Sequence, residues 1–274
     1  MTNKTLQDII NSSDTEVVTH LDPHGVLRVC INRPTRHNAF NDVVIRQLIH
    51  AFVSAKHDDA VRVVILQSEG KNFSSGADLH WMKSMAALDF EENKQDASEL
   101  ARLMHSIFTL PKPVITRIQD ASYGGALGLI ACSDIAIASQ RSQFCLSEVK
   151  IGLMPAVISP YVSRAIGARA AQRYFMTAES FDADKALTLG LVHEVVASDD
   201  LDKAVDAIAS KLLANGPNAV AQAKALAHHV ANTPINAELI AYTVEQIANI
   251  RVSPEGQEGL SAFLEKRNAH WIKG

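Results

Sequence analysis

Cysteine, aromatic residues and excess charge of either sign are all scarce in this sequence. Three cysteines, Cys30, Cys132 and Cys145, occur among 274 residues without a C-x-x-C pair. An odd count at these spacings argues against a disulfide framework or a thiolate zinc site and leaves small apolar core residues. No H-E-x-x-H occurs, and the adjacent His228 and His229 cannot share one helical face, so no metal site is expected. With 26 basic against 30 acidic residues the net charge is −4. The clustered Lys/Arg that neutralises phosphates is missing, and nucleic acid is excluded as an expected partner. The longest uncharged stretches, Ala121 to Ser133 and Ile151 to Ser163, fall short of the roughly 20 apolar residues that span a bilayer. Lys4, Asp8 and Asp14 interrupt the first residues, which read neither as a secretory signal nor as a transit peptide. The expected location is the cytoplasm, with no membrane association.

What is present is an apolar fraction of 47%, enough for one sizeable core. Gly25 to Asn32 alternates apolar and polar positions before Pro34 and reads as a strand. Asn41 opens a helix with Val44, Leu48, Ile49 and Phe52 on one stripe. Val61 to Gln67 is β-branched and nearly all apolar, the pattern of a strand covered on both faces. Phe73 to Leu79 leads into a second helical run, Pro113 to Ile118 is a strand, and Gly124 to Cys132 a helix of small residues. Two short strands follow at Asp134 to Ala138 and Gln143 to Leu146. This alternation predicts an α/β layered core. From Ala168 the pattern turns Ala-rich and amphipathic, with helices expected at 170–177, 183–189, 201–214, 219–231, 236–251 and 255–266, punctuated by Gly190, Asn215-Gly216-Pro217, Thr233-Pro234 and Ser253-Pro254. The division is a core over residues 1–197 and a helical region over 198–274.

Two glycine-containing loops, Ser75-Gly76-Ala77-Asp78 and Tyr123-Gly124-Gly125-Ala126, each follow a predicted buried strand and precede a helix. Backbone N–H groups at such positions lack intrahelical partners and suit an anionic oxygen. The same glycines would also serve tight turns and close packing alone. Neither loop matches G-x-G-x-x-G or G-K-[ST], so nicotinamide and nucleoside triphosphate chemistry are not implied.

The ordered series Asn38-Ala39-Phe40, Phe73 to Leu79, Gly124-Gly125-Ala126-Leu127, Ser133 to Ala136, Gln143-Phe144, Glu148, Ile151-Gly152-Leu153 with Pro155, and Phe263 to Arg267 resembles the enoyl-CoA hydratase/isomerase (crotonase) family. The resemblance implies a spiral of ββα turns with a helical C-terminal region that packs trimers or dimers of trimers. It makes the backbone N–H groups of Ala77 and Gly125 the oxyanion hole for a thioester carbonyl. Enolate charge develops on that oxygen during addition at Cβ or proton removal at Cα or Cγ, and one such donor contributes about 3 to 4 kcal/mol. It also places Asn38, Ala39, Gly76, Asp78, Leu79, His80 and Gly124 along the substrate, with Lys266 near the CoA 3′-phosphate; CoA enters as part of an acyl-CoA substrate, and no separate cofactor is implied.

Of the two glutamates that flank the reacting carbons in hydratases of this family, the resemblance supplies Glu148. The other position is Gly128. One carboxylate alone suits either a Δ3,Δ2-enoyl-CoA isomerase or a hydratase in which Glu148 serves both half-reactions. Segments around Gln143 to Pro160, Ala77 to Met82 and Arg251 to Lys266 are similar to the bacterial 3-methylglutaconyl-CoA hydratases, which favours water addition to that branched substrate. His80, Lys83 and Arg164 are candidates to meet a distal carboxylate, and Trp81, Met82 and Met85 to line an acyl pocket. A non-catalytic member that binds acyl-CoA or RNA is the remaining alternative.

Overall fold

The computed structural model describes residues 15–231 and 233–272. A six-stranded sheet is built from β1 (Val17–Leu21), β2 (Val26–Ile31), β3 (Val63–Ser68), β4 (Val114–Ile118), β6 (Ile135–Ser139) and β9 (Glu194–Val196), paired in that spatial order. β1 and β2 form an antiparallel hairpin, and every later pairing is parallel. A second sheet, of three strands, pairs β5 (Ala121–Tyr123) with β7 (Gln143–Cys145), and β7 with β8 (Phe181–Asp182).

Side chains along a strand point to opposite faces, and β3 shows the result. Val64 and Leu66 enter the larger core with α1 (Asp42–His57) and α3 (Phe90–Phe108), while Val63 and Ile65 join a second core with Leu201, Val205 and Ala209 of α8 (Leu201–Leu213). The expectation of a strand covered on both faces is met. The predicted stripe of α1 is buried as well: Val44, Leu48, Ile49 and Phe52 all face the core, and Asn41 caps the helix by accepting from the Val44 N–H.

The expected α/β layered architecture is the observed one, with three departures in detail. β1, β5 and α3 were not legible as elements; α3 buries only Leu103, Met104 and Ile107 along 19 residues, so its apolar stripe is confined to its last turns. The stretch after Ala168 is not wholly helical, since β8 and β9 lie within it and β9 closes the large sheet. Finally, α8 lies beyond the 197/198 division yet packs on β3, β4 and β6. By packing it belongs with the core. The chain leaves the core after α8, where α9 (Pro217–Val230), α10 (Ala237–Val252) and α11 (Pro254–Leu264) pack on one another.

Candidate active site

The first glycine loop is held by β-type pairing to an upstream segment. Phe40 N–H donates to Gly76 O at 2.9 Å, Asp78 N–H donates to Phe40 O at 3.0 Å, and Ser75 N–H donates to His37 O at 3.0 Å. Phe40 therefore bonds on both sides of Ala77 in a parallel bridge. In such a bridge the N–H and C=O of the bracketed residue point away from the partner, and the Ala77 N–H has no acceptor among the described residues.

The second loop leaves β5 and enters α4 (Ala126–Cys132). Gly124 N–H donates to Cys145 O at 2.8 Å, tying the loop to the end of β7. Gly125 takes the N-cap position of α4, and its own N–H also has no acceptor among the described residues. The loops abut. A Cβ built on Gly76, whose φ is +88°, would lie 2.8 Å from Tyr123 O and 3.9 Å from Gly124 Cα. Only glycine combines that φ with that approach.

Beyond β7 the chain makes a short 3₁₀ turn, Glu148–Ile151, closed by Gly152 at φ +77° and by Leu153 N–H donating to Glu148 O at 3.1 Å. This turn brings the Glu148 carboxyl over the second loop: a Cβ on Gly124 would stand 3.4 Å from Glu148 Oε1 and 3.8 Å from Cδ. Oε2 is buried without a hydrogen-bond partner among the described residues. Burial pushes the carboxyl above its usual range, partly opposed by a hydrogen bond from the residue's own backbone. Two backbone donors without acceptors on abutting loops and an under-solvated carboxyl beside them form a constellation suited to stabilising an oxyanion while moving a proton.

The remaining residues sort by what they touch. Asn38 is fully buried; its amide donates to Glu69 O at 2.6 Å and Asn72 O at 2.7 Å, and its Oδ1 accepts from Arg33 N–H at 2.9 Å. Its polar atoms are engaged in joining two loops, so its side chain serves the site by holding the 36–40 segment rather than by meeting a ligand. Ala39 is buried and its carbonyl accepts from the Arg33 guanidinium. Asp78 caps α2 (Leu79–Met85) by accepting from His80 N–H at 2.8 Å, and pairs with Arg33 at 3.2 Å. Burial works against the Asp78 carboxylate, but the cap bonds and Arg33 outweigh it and hold its pKa below the usual range.

Leu79 and His80 are exposed at the start of α2. There, Arg33, Arg36, Asn41, Asp78, His80 and Trp81 line a cleft of about 370 Å³. Lys83 is exposed. Trp81 packs on the core and its indole N–H donates to Asp96 Oδ1 at 3.3 Å, fastening α2 to α3. Arg164 is placed elsewhere: it stands over the Phe108 ring beside Cys132 and Asp134, at the opposite end of α4 from Gly125. That position does not suit it to a distal carboxylate of a substrate held at Gly125. Lys266 is exposed just past the end of α11, which packs on α9 and α10.

At Gly128 the space is filled. A Cβ there would come 2.3 Å from Ile158 Cγ2 and 3.0 Å from Met104 Sδ. Sequence reasoning identified the missing carboxylate but not its replacement by hydrocarbon, because Ile158 lies 30 residues on and carries no local signal.

The sequence model described as "Enoyl-CoA hydratase/isomerase" matches residues 22–274. A solved enoyl-CoA hydratase from Shewanella pealeana is similar with a TM-score of 0.93 and 48% identity, over 98% of this chain and 100% of its own. A crotonyl-CoA hydratase from Syntrophomonas wolfei is 31% identical over 88% of this chain and 92% of its own length. A trans-2-decenoyl-acyl-carrier-protein isomerase from Streptococcus mutans is 29% identical over 92% of this chain and 96% of its own.

Proposed function

Since the chain belongs to the enoyl-CoA hydratase/isomerase family, we propose that it is a hydro-lyase adding water across the α,β double bond of an enoyl-CoA thioester, with 3-methylglutaconyl-CoA as the substrate. The observation that carries this reading is the meeting of the Glu148 carboxyl with the Gly124-Gly125 loop, beside the two backbone N–H groups of Ala77 and Gly125 that have no acceptor among the described residues.

In this mechanism the thioester oxygen accepts from both N–H groups. Ionised Glu148 takes a proton from water as the water oxygen bonds to Cβ. The π electrons move to the Cα–carbonyl bond, giving an enolate held by fixed dipoles that need no reorganisation. Glu148 then returns the proton to Cα, and the net change is H at Cα and OH at Cβ. The groups involved are the protein's own and water; the CoA is the substrate's. Asn38, Ala39, Gly76, Asp78 and Gly124 hold the two loops, while Leu79, His80 and the cleft beside them face the CoA moiety.

A second reading is favoured by one observation. With Ile158 and Met104 closed over Gly128, Glu148 stands without the second carboxylate, and one base suffices to carry a proton from Cγ to Cα in a Δ3,Δ2-isomerase. Incubation with crotonyl-, 3-methylcrotonyl-, 3-methylglutaconyl- and 3-enoyl-CoA separates the two. Fastest hydration of 3-methylglutaconyl-CoA is expected; a ranking led by migration of the 3-enoyl double bond would establish the isomerase instead, and binding of all four without turnover would leave a non-catalytic acyl-CoA binder.

We further propose a homotrimer or a hexamer of two trimers. Ile240, Val244, Ile247, Leu260, Phe263 and Leu264 of α10 and α11 are exposed in the single chain, and a second copy is the partner such apolar helices fit. In that assembly Lys266 would reach a neighbouring subunit's CoA. Sedimentation velocity tests the assembly.

A further inference from the structure

We propose that Phe40 is a positioning residue that sets the spacing between the two oxyanion donors, a role that rests on the reading of Ala77 and Gly125 given above. Phe40 touches both donors by different parts of itself. Its backbone brackets Ala77 through the bonds to Gly76 O and from Asp78 N–H, so its main chain decides which way the Ala77 N–H points. Its ring reaches the other loop: Cζ and Cε2 lie 2.8 Å and 3.1 Å from where a Cβ on Gly125 would be. The approach of Gly125 to Ala77 is therefore spanned by one side chain, from the Phe40 backbone to the tip of its ring.

That span is rigid. Phe40 is only 2% exposed, and the residues on either side are fixed. Asn38, at φ +55°, is bolted to Glu69 and Asn72, and Asn41 caps α1 through Val44 N–H. A buried aromatic ring held at its base cannot swing aside without a void, because protein interiors are close-packed. Conversely, Gly125 has no Cβ because the ring occupies its place. Phe40 and Gly125 are thus a matched pair, and their combined volume fixes where the second N–H stands relative to the first.

Phe40→Leu shortens the spacer while keeping the residue apolar, and Gly125→Ala adds a methyl against the ring. Each is expected to lower kcat on the order of 10²-fold, as for a displacement of about 1 Å at a reacting centre, with KM changed less than kcat. The double variant, in which the new methyl fills the space the shorter side chain leaves, is expected to recover part of the loss. Binding of acetoacetyl-CoA, whose enolate absorbs in the near ultraviolet, reports the donors directly. Bound wild-type protein should show the enolate band, each single variant a weaker band at saturating ligand, and the double variant an intermediate one.

A merely structural Phe40 would lower the melting temperature but leave the enolate band and the kcat of the folded fraction unchanged in Phe40→Leu, and that result would overturn the proposal. Phe40→Met provides a second spacer should the leucine variant fail to fold. Wild-type protein that neither turns over an enoyl-CoA nor enolises acetoacetyl-CoA would remove the reading of the site itself, a different failure from unchanged variants on an active wild type.

Discussion

The Glu148 carboxyl lies directly over Gly124, with Oε1 3.4 Å from the place a side chain on that glycine would begin. A Cβ at 124 would stand in ordinary van der Waals contact with the carboxyl, so it is the φ of +54° that favours glycine there. The glycine that turns the second loop is thus also the floor on which the Glu148 carboxyl rests.

Glu148→Gln is expected to cost about 10³-fold in turnover, within the usual range for a positioned acid or base, and to raise stability near neutral pH. The sign follows from burial, which lifts the folded-state pKa above that of the unfolded chain. Between the two values the folded state binds more protons, so this group's contribution to stability falls as pH rises through that window and remains unfavourable above it. The variant should melt a few degrees above wild type at neutral pH, and the difference should vanish in acid, below the unfolded value of about 4.3. Melting curves across pH check this; a variant less stable than wild type at neutral pH would contradict it.

Gly128→Ala tests the filled space opposite the helix. Its methyl would arrive 2.3 Å from Ile158 Cγ2, and overpacking of this kind costs about 1–3 kcal/mol. Combining it with Ile158→Ala should recover part of that cost, giving a coupling of at least about 0.5 kcal/mol in a double-mutant cycle by urea denaturation. Additive costs would show that the two positions do not share one space.

Lys224→Met tests the anchor of the C-terminal helices. Lys224 Nζ donates to Asp134 Oδ2 at 2.7 Å and to Lys112 O at 3.3 Å, with only 9% of the lysine side chain exposed. Removing it leaves the Asp134 carboxylate with the Val114 N–H as its remaining partner, a loss expected to be about 3 kcal/mol. Hydrogen exchange over residues 217–230 should accelerate more than over β3 and β4. Adding Asp134→Asn should restore part of the stability.

Much of the site was legible because its parts are local. A glycine after a buried strand and before a helix can be read from adjacent residues, and so can the 3.6-residue stripe of α1 or the double-faced apolar run of β3. Elements with a weak local pattern were not: β9 is three residues long and owes its place to pairing with β6, and most of α3 faces solvent. Arg164 was a reasonable partner for a substrate on reach alone, and only its place beyond the far end of α4 removes it.

The amino-acid order alone determined that this chain has a two-sided α/β core and two glycine turns capable of presenting free amides, since each depends on side-chain periodicity or on a residue's own conformational freedom. Glu148 was singled out only by the resemblance of its segment to a known family. Tertiary structure decided what stands next to what: Phe40 under Gly125, Ile158 in the space at Gly128, Glu148 over Gly124, and α8 on the sheet. These contacts join residues 24 or more positions apart. No local pattern encodes them, because close packing is satisfied by whichever distant group the completed fold brings into the remaining volume.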